Sequence, residues 1–314
     1  MPDLRVKLGS LSLANPVLAA AGTFGYGLEF ARTVRLERLG ALVTKTLTLQ
    51  PRAGHQPPRL VETPSGMLNA VGLQNVGLEA FLREKLPALR AYDVPILVSL
   101  LGKDPDDVAA LVQQAEGAAG IAGLELNLSC PNVLHGGAAR AGHVPMVAHD
   151  PDATAAFVAA ARARTRRLLI AKLSPDVTDV VPIAQAAEGA GADAVTIGNT
   201  FVGMSLDPAT RRSRLGTISG GLSGPAIRPL ALYRVWYTAQ HLRIPIIGVG
   251  GILRAEDAVE FLLAGATAVA VGTANFVDPR APVQVARGLA RYLRRHGLAD
   301  VAALRGALTH DAAP

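Results

Sequence analysis

Hydrophobic residues along the chain fall into eight short runs that are separated by longer amphipathic stretches. The runs are rich in Val, Ile, Leu and Ala, and an almost continuous apolar run is typical of a parallel strand that is buried on both faces. They cover residues 16–20, 41–45, 95–100, 124–128, 168–173, 194–199, 245–250 and 268–273. The pattern therefore predicts eight strands that alternate with helices.

The stretches between most of these runs have the features of helices. Residues 105–120 and 254–266 are rich in alanine and leucine, carry acidic residues in the first turn and reach glycine near the end. Eight β/α units in about 300 residues match a closed (β/α)8 TIM barrel better than an open doubly wound sheet, which stays open as the alternative. We therefore expect one barrel domain over residues 1–314.

Two further features lie outside the β/α units. Residues 4–13 alternate apolar and polar positions around a central Gly-Ser pair, which predicts a β-hairpin that precedes the barrel and closes its bottom. Three connections after strands, residues 46–77, 129–152 and 200–228, are much longer than usual for such folds. Because loops that follow barrel strands lie at the C-terminal mouth, we expect these long loops over the catalytic face.

Composition and charge narrow the class of protein. Half of the 314 residues are hydrophobic, and 32 are glycine, which indicates a compact protein with many turns. The net charge of +6 comes from scattered basic residues and only 4% of residues are aromatic, so nucleic-acid binding is not expected. The N-terminal residues resemble neither a signal peptide nor a membrane anchor, which predicts a cytoplasmic protein without membrane contact.

The only cysteine, Cys130, lies directly after a predicted strand and directly before Pro131. One cysteine excludes an internal disulfide, so the residue is either a buried filler or a reactive group. His135, His143 and His149 follow it, but their spacing matches no zinc motif and no second cysteine is available. We therefore predict no metal site.

The predicted strands end in residues that carry chemistry or expose backbone. Lys45 and Lys172 end buried strands, where a cation is favoured beside an anionic ligand or an opposite charge. Residues 250–251 and 272–273 place glycine after the seventh and eighth strands, at the recurrent phosphate site of TIM barrels. These glycines do not form the G-x-G-x-x-G dinucleotide fingerprint, so direct nicotinamide binding is not expected.

Five motifs follow one another along nearly the whole chain. They are "NAVGLQN" at 69–75, "NLSCPN" at 127–132, "KLSPDVTD" at 172–179, "GGLSGPAIRPLAL" at 220–232 and "VGT" at 271–273. Together they resemble the dihydroorotate dehydrogenases of pyrimidine biosynthesis. Within that family, "HGG" at 135–137 and "TRRSRLG" at 210–216 are similar to the soluble class 1B catalytic subunit. The resemblance implies a TIM barrel with FMN at its mouth and oxidation of dihydroorotate to orotate on the way to UMP.

The resemblance also implies roles for individual residues. Cys130 is similar to the family's base, which takes a proton from carbon 5 of dihydroorotate while FMN takes a hydride from carbon 6. The implied substrate-binding residues are Lys45, Asn69, Val71, Gly72, Leu73, Asn127, Asn132, Asn199 and Thr200. The implied FMN-binding residues are Ala21, Lys45, Thr46, Ser99, Asn127, Lys172, Gly198, Gly224, Gly250, Gly251, Gly272 and Thr273. Ala21, Ser99 and Gly198 depart from the serine, asparagine and isoleucine that relatives often have there.

The chain is further expected to be one half of an enzyme. A single cysteine cannot ligate an iron–sulfur cluster, which needs four ligands. The resemblance to the class 1B catalytic subunit implies that FAD and such a cluster lie only on a partner subunit, in a heterotetramer built around a barrel homodimer. A homodimer that uses fumarate or another small oxidant at the orotate site is the alternative. Two other functions also stay open, a dihydropyrimidine dehydrogenase-type flavoenzyme and a non-catalytic barrel that binds a phosphate ligand.

Overall fold

The architecture is a closed barrel of eight parallel strands, seen in a computed structural model that describes residues 2–129 and 146–309. The barrel strands are Val17–Ala19 (β1), Ala41–Val43 (β2), Ile96–Leu100 (β3), Ile121–Asn127 (β4), Leu168–Leu173 (β5), Ala194–Ile197 (β6), Ile246–Val249 (β7) and Ala268–Val271 (β8). Each strand pairs with the next one in sequence, and β8 closes the ring by pairing with β1. The predicted TIM barrel is confirmed, and the open sheet is excluded.

Helices surround the barrel at the positions that the amphipathic stretches predict. The longer ones are Pro105–Glu116, Pro151–Arg162, Val181–Gly189, Arg228–Ala239, Ala255–Leu263 and Ala281–Arg295. A further helical segment runs through Leu78–Ala80, a π-helical turn at Phe81–Lys85 and Leu86–Leu89, and a short helix covers Ala274–Val277. No helix in residues 2–129 or 146–309 is long and apolar enough to cross a membrane.

Aspartates and prolines define where two of these helices begin. The side chain of Asp104 accepts a hydrogen bond from the N–H of Asp107, and that of Asp150 accepts from the N–H groups of Asp152 and Ala153. Both aspartates precede a proline in the first turn, where the missing N–H costs nothing. The sequence therefore fixes these helix starts locally.

The N-terminal hairpin closes the bottom of the barrel. Its strands, Val6–Leu8 and Leu11–Leu13, pair in antiparallel fashion, as the alternating pattern predicts. Leu8 and Leu13 are fully buried and pack in one cluster with inward-facing barrel residues such as Ile170. A hairpin on the N-terminal side leaves the opposite end of the barrel as the open one.

Two of the long connections form a second sheet beside the mouth. Its four antiparallel strands lie in the order Phe201–Gly203, Gly220–Ser223, Gly66–Asn69 and Leu60–Thr63. A small ladder of Leu206–Asp207 and Arg212–Ser213 extends the connection after β6. The sequence predicted long loops here and not strands, because segments of two to four residues show too little periodicity to be recognised. Of the third connection, residues 130–145 lie outside the described part of the chain.

Candidate active site

A cavity of about 1050 Å³, including open space toward the solvent, lies at the C-terminal ends of the barrel strands. The structure brings together most of the site residues implied by the sequence. Those that line the cavity are Ala21, Lys45, Thr46, Asn69, Val71, Leu73, Asn127, Lys172, Asn199, Thr200, Gly224, Gly250, Gly251, Gly272 and Thr273.

Two lysines give the cavity its charge. Lys172 is the penultimate residue of β5 and is only 5% exposed, and Lys45 lies two residues after β2. Both line the cavity, whereas no aspartate or glutamate among the described residues does. A concave site with two cations and no lining carboxylate favours an anionic ligand or developing negative charge.

Hydroxyl and amide side chains from three neighbouring strands form a network at the base of the cavity. The amide of Asn127, at the end of β4, donates a hydrogen bond of 3.1 Å to Oγ1 of Thr46. Oγ of Ser99 lies 2.9 Å from the same Thr46 atom. All three residues are buried, and a fully hydrogen-bonded buried network holds its side chains in one orientation.

Ser99 therefore has a different place from the one that the sequence implies. It is fully buried behind Thr46 and does not line the cavity. Its hydroxyl contacts Thr46, so any effect of Ser99 on a ligand passes through that neighbour.

Two predicted glycines also lie outside the cavity wall, and both are needed for close packing. Gly72 has φ +72°, and a Cβ there would lie 2.6 Å from the backbone nitrogen of His55. Gly198 has φ +127°, and its Cβ would lie 2.2 Å from the carbonyl oxygen of Val249. These positions let the chain approach a neighbouring segment closely, beside residues that do line the cavity.

Ser129, the residue before the cysteine, is fixed at the edge of the site. Its hydroxyl donates to Oδ1 of Asn127 at 3.2 Å. The amide of Asn199, after β6, donates to Oγ and to the carbonyl oxygen of Ser129 at 2.7 and 3.0 Å. Cys130 and Asn132 themselves lie outside the described residues, so the roles implied for them stay predictions.

Glycine-rich loops after β7 and β8 form one wall of the cavity. Gly250 and Gly251 have φ of +136° and +72°, which side chains rarely adopt, and at the wall they can present only backbone. The hydroxyl of Thr273 donates to Oγ of Ser223 at 2.8 Å, and both residues line the cavity beside these glycines. Exposed backbone and hydroxyl groups at this end suit a phosphate.

Sequence reasoning missed a group of lining residues that are mostly small or apolar. They are Ala20, Gly22, Thr23, Leu60, Met67, Ser223, Ile227, Val249 and Phe276. Ala20, Gly22 and Thr23 directly follow β1, so their position at a strand end was available as a signal. Leu60 and Met67 lie in a connection that was expected over the mouth, but no local pattern predicts the second sheet that positions them there. Their apolar surface suits a flat ring system.

Metal binding finds no structural support in the part of the chain that the structure describes. No group of three or more His, Cys, Asp and Glu side chains is arranged there to hold a metal ion. Of the three histidines considered above, His149 is described, whereas His135 and His143 are not.

Comparisons with known proteins point to one family. The family profile for dihydroorotate dehydrogenase matches residues 3–293. A protein from Trichlorobacter lovleyi named "Dihydroorotate dehydrogenase B (NAD(+)), catalytic subunit" is 52% identical over 307 residues, covering 98% of this chain and 99% of the relative. A protein of the same name from Geotalea daltonii is also 52% identical, covering 98% of both chains. The crystal structure of a DHODH from Eimeria tenella in complex with ferulenol shares the fold, with a TM-score of 0.80 at 24% identity, covering 98% of this chain and 89% of the other.

Proposed function

Since the chain belongs to the dihydroorotate dehydrogenase family, we propose that its cavity binds FMN and that dihydroorotate is oxidised there to orotate, on the way to UMP. The chain is an oxidoreductase of the class 1B type, and residues 1–314 form a single FMN-binding barrel domain. The observation that carries the proposal is the convergence of both lysines and the glycine loops on one cavity at the barrel mouth.

The cavity fits FMN at both ends. Gly224, Gly250 and Gly251 all have positive φ, and a Cβ at Gly251 would lie 2.6 Å from Cβ of Arg228, so glycine is required there and presents backbone at this wall. That end would hold the phosphate, with the Thr273 hydroxyl beside it. Lys172 would face the ring system, where a cation stabilises the anionic reduced form. When bound, FMN supplies the acceptor for the hydride that leaves carbon 6 of the substrate.

Amide side chains would recognise the substrate. Asn69, Asn127 and Asn199 line the same cavity, and an amide both donates and accepts hydrogen bonds. The edges of dihydroorotate carry amide-like groups of both kinds, and its carboxylate requires a cation, which Lys45 provides. Asn132, by resemblance, would complete this set.

Cys130 would be the base that removes the proton from carbon 5. A thiol has an ordinary pKa of about 8.5, within reach of the thiolate near neutral pH. The hydrogen bonds from Ser129 to Asn127 and from Asn199 to Ser129 support this role, because they fix the preceding residue beside predicted substrate-binding groups. The proton would pass from carbon 5 to the sulfur while the hydride leaves the other carbon.

Electrons would leave through a second protein. The relatives are named catalytic subunits of NAD(+) enzymes, and this chain has one cysteine. We therefore place FAD and an iron–sulfur cluster on a partner subunit in a cytoplasmic heterotetramer built around a barrel homodimer. A homodimer that reduces fumarate at the orotate site is the alternative.

Flavin identification and anaerobic reduction together test the proposal. The purified protein should release FMN, identified by mass after acid treatment, and dihydroorotate should bleach the bound flavin much faster than dihydrouracil does. Faster bleaching by dihydrouracil would favour the dihydropyrimidine dehydrogenase alternative. Absence of any flavin after reconstitution with FMN would contradict the proposed cofactor and favour a non-catalytic barrel.

A further inference from the structure

A glutamate inside the barrel has no part in the chemistry described so far. Glu125 lies in β4, two residues before Asn127, and is only 3% exposed. One of its carboxyl oxygens accepts a hydrogen bond of 3.1 Å from the hydroxyl of Thr196 in β6. The other oxygen, Oε1, is buried and has no partner among the described residues. A buried carboxylate with an unpartnered oxygen is costly unless an opposite charge compensates it.

The strand register shows where this carboxyl lies. Between β4 and β6 runs β5, in which Ile170 pairs with Glu125 and Lys172 pairs with Thr196. The hydrogen bond from Thr196 to Glu125 therefore crosses β5 between the levels of Ile170 and Lys172. The register places Glu125 one inward position below Lys172, on the side away from the mouth.

The inventory of buried charges leads to the same pairing. In the described part of the chain, the charged side chains that are almost fully buried are Glu125, Lys172 and Asp257. Asp257 forms an ion pair with Arg228 and accepts hydrogen bonds from two backbone N–H groups. Glu125 and Lys172 are left as two buried charges of opposite sign inside the same barrel. Lys172 forms none of the direct ion pairs between described residues, so an interaction between the two groups would be a longer-range Coulombic one.

We propose that Glu125 is the counter-charge of Lys172 and that, as a positioning residue acting through Lys172, it lowers the reduction potential of the bound flavin. This inference rests on the proposed FMN site. Without a counter-charge, Lys172 would stabilise the anionic reduced ring more strongly, and its electrons would be more difficult to pass on. One negative charge beneath Lys172 offsets part of that field. Reduction by the substrate and release of electrons toward an acceptor such as NAD(+) then both remain favourable.

The decisive measurement is the midpoint potential of the bound FMN, titrated anaerobically against a reference dye. Glu125→Gln keeps the shape and the hydrogen bond to Thr196 but removes the charge. We expect the ratio of the affinity for reduced FMN to the affinity for oxidised FMN to be at least tenfold higher in the variant than in wild type. For a two-electron couple this corresponds to a positive shift of about 30 mV. Glu125→Met, which removes the charge and the polar atoms together, should shift the potential in the same direction.

A matched control distinguishes the loss of a charge inside the barrel from the loss of a charge on the protein surface. Glu79→Gln makes the same chemical change at a side chain that is 86% exposed. The midpoint potential of FMN bound to this variant should equal the potential in wild type. Bound FMN with an unchanged or more negative potential in both Glu125 variants would overturn the inference. Failure of both variants to fold would show a purely structural role and would overturn it as well. A wild-type protein that binds no FMN would instead contradict the proposed function.

Discussion

Gly272→Ala is the substitution that tests the placement of the FMN phosphate most directly. Gly272 follows β8 and lines the cavity. A Cβ built there would have its nearest protein neighbours at 3.8 Å from Cβ of Ala20 and 3.9 Å from Cγ2 of Thr23. These are ordinary van der Waals distances, and φ of Gly272 does not lie in the left-handed region. The protein alone therefore accommodates the added methyl group, which enters the cavity.

The expected magnitude follows from that geometry. Without FMN, the free energy of unfolding should change by no more than about 0.5 kcal/mol, because nothing in the protein is displaced. With FMN, a methyl group in occupied space typically costs about 1–3 kcal/mol. Since 1.4 kcal/mol is tenfold in an equilibrium constant, FMN should bind about 5- to 150-fold more weakly.

Flavin titration of the apoprotein measures this loss, through the change in FMN fluorescence on binding, and thermal melts of the apoprotein measure stability. Gly189→Ala is the matched control, because its Cβ would meet no atom within 4 Å and the residue lies at the end of an outer helix. The control should bind FMN as wild type does. Unchanged FMN affinity in Gly272→Ala, together with unchanged melting, would refute the placement of the phosphate at this wall.

Three other outcomes are expected. Cys130→Ser should slow anaerobic flavin reduction by dihydroorotate strongly at neutral pH, and the rate should recover toward high pH, because a hydroxyl has a far higher intrinsic pKa than a thiol. Stopped-flow rates equal to those of wild type would exclude Cys130 as the base. The isolated chain should be reduced by dihydroorotate but should not reduce NAD(+) in steady state, and rapid NADH formation by this chain alone would contradict a partner subunit. The pKa of Asp278 is lowered from its ordinary 3.8 to about 2, mainly by the hydrogen bond from the Arg280 side chain. A lowered folded-state pKa stabilises the protein above pH 3.8, so Asp278→Asn should lower the melting temperature at pH 7. The difference in melting temperature from wild type should shrink as the pH falls from 4 toward 2.

The eight barrel strands could be predicted because a parallel strand buried on both faces is apolar along its whole length. Each predicted run contains or overlaps the observed strand, as for residues 168–173 and Leu168–Leu173. The second sheet could not be predicted, since its strands are short and pair across distant parts of the chain, as Asn69 with Gly221. Pairing at such separation is set by tertiary contact and not by local pattern.

Site residues were predictable as positions at strand ends, but not in their detailed contacts. Lys45, Asn127 and Lys172 line the cavity because inward-facing residues at the C-terminal ends of barrel strands must converge. Ser99 shares that position, yet Thr46 covers it. Sequence spacing gives the level of a side chain in the barrel, whereas the neighbour that shields it depends on side-chain packing.

Along β5 the interior of the barrel changes from apolar to polar toward the mouth, and this change links the fold to the site. In β5, Leu168 and Ile170 are buried among apolar residues, and Lys172 follows at the next inward position. Asn127 occupies the same level in the neighbouring strand. Burying such groups without a ligand costs stability, so the mouth of the barrel is the part that a bound anion stabilises most. A ligand at 100 times its dissociation constant adds about 2.7 kcal/mol to the free energy of unfolding. FMN should therefore raise the melting temperature of the apoprotein. Lys172→Met removes the buried cation that faces the ligand and leaves Glu125 without its counter-charge. The variant should therefore lower the melting temperature of the apoprotein and should also reduce the rise that FMN produces.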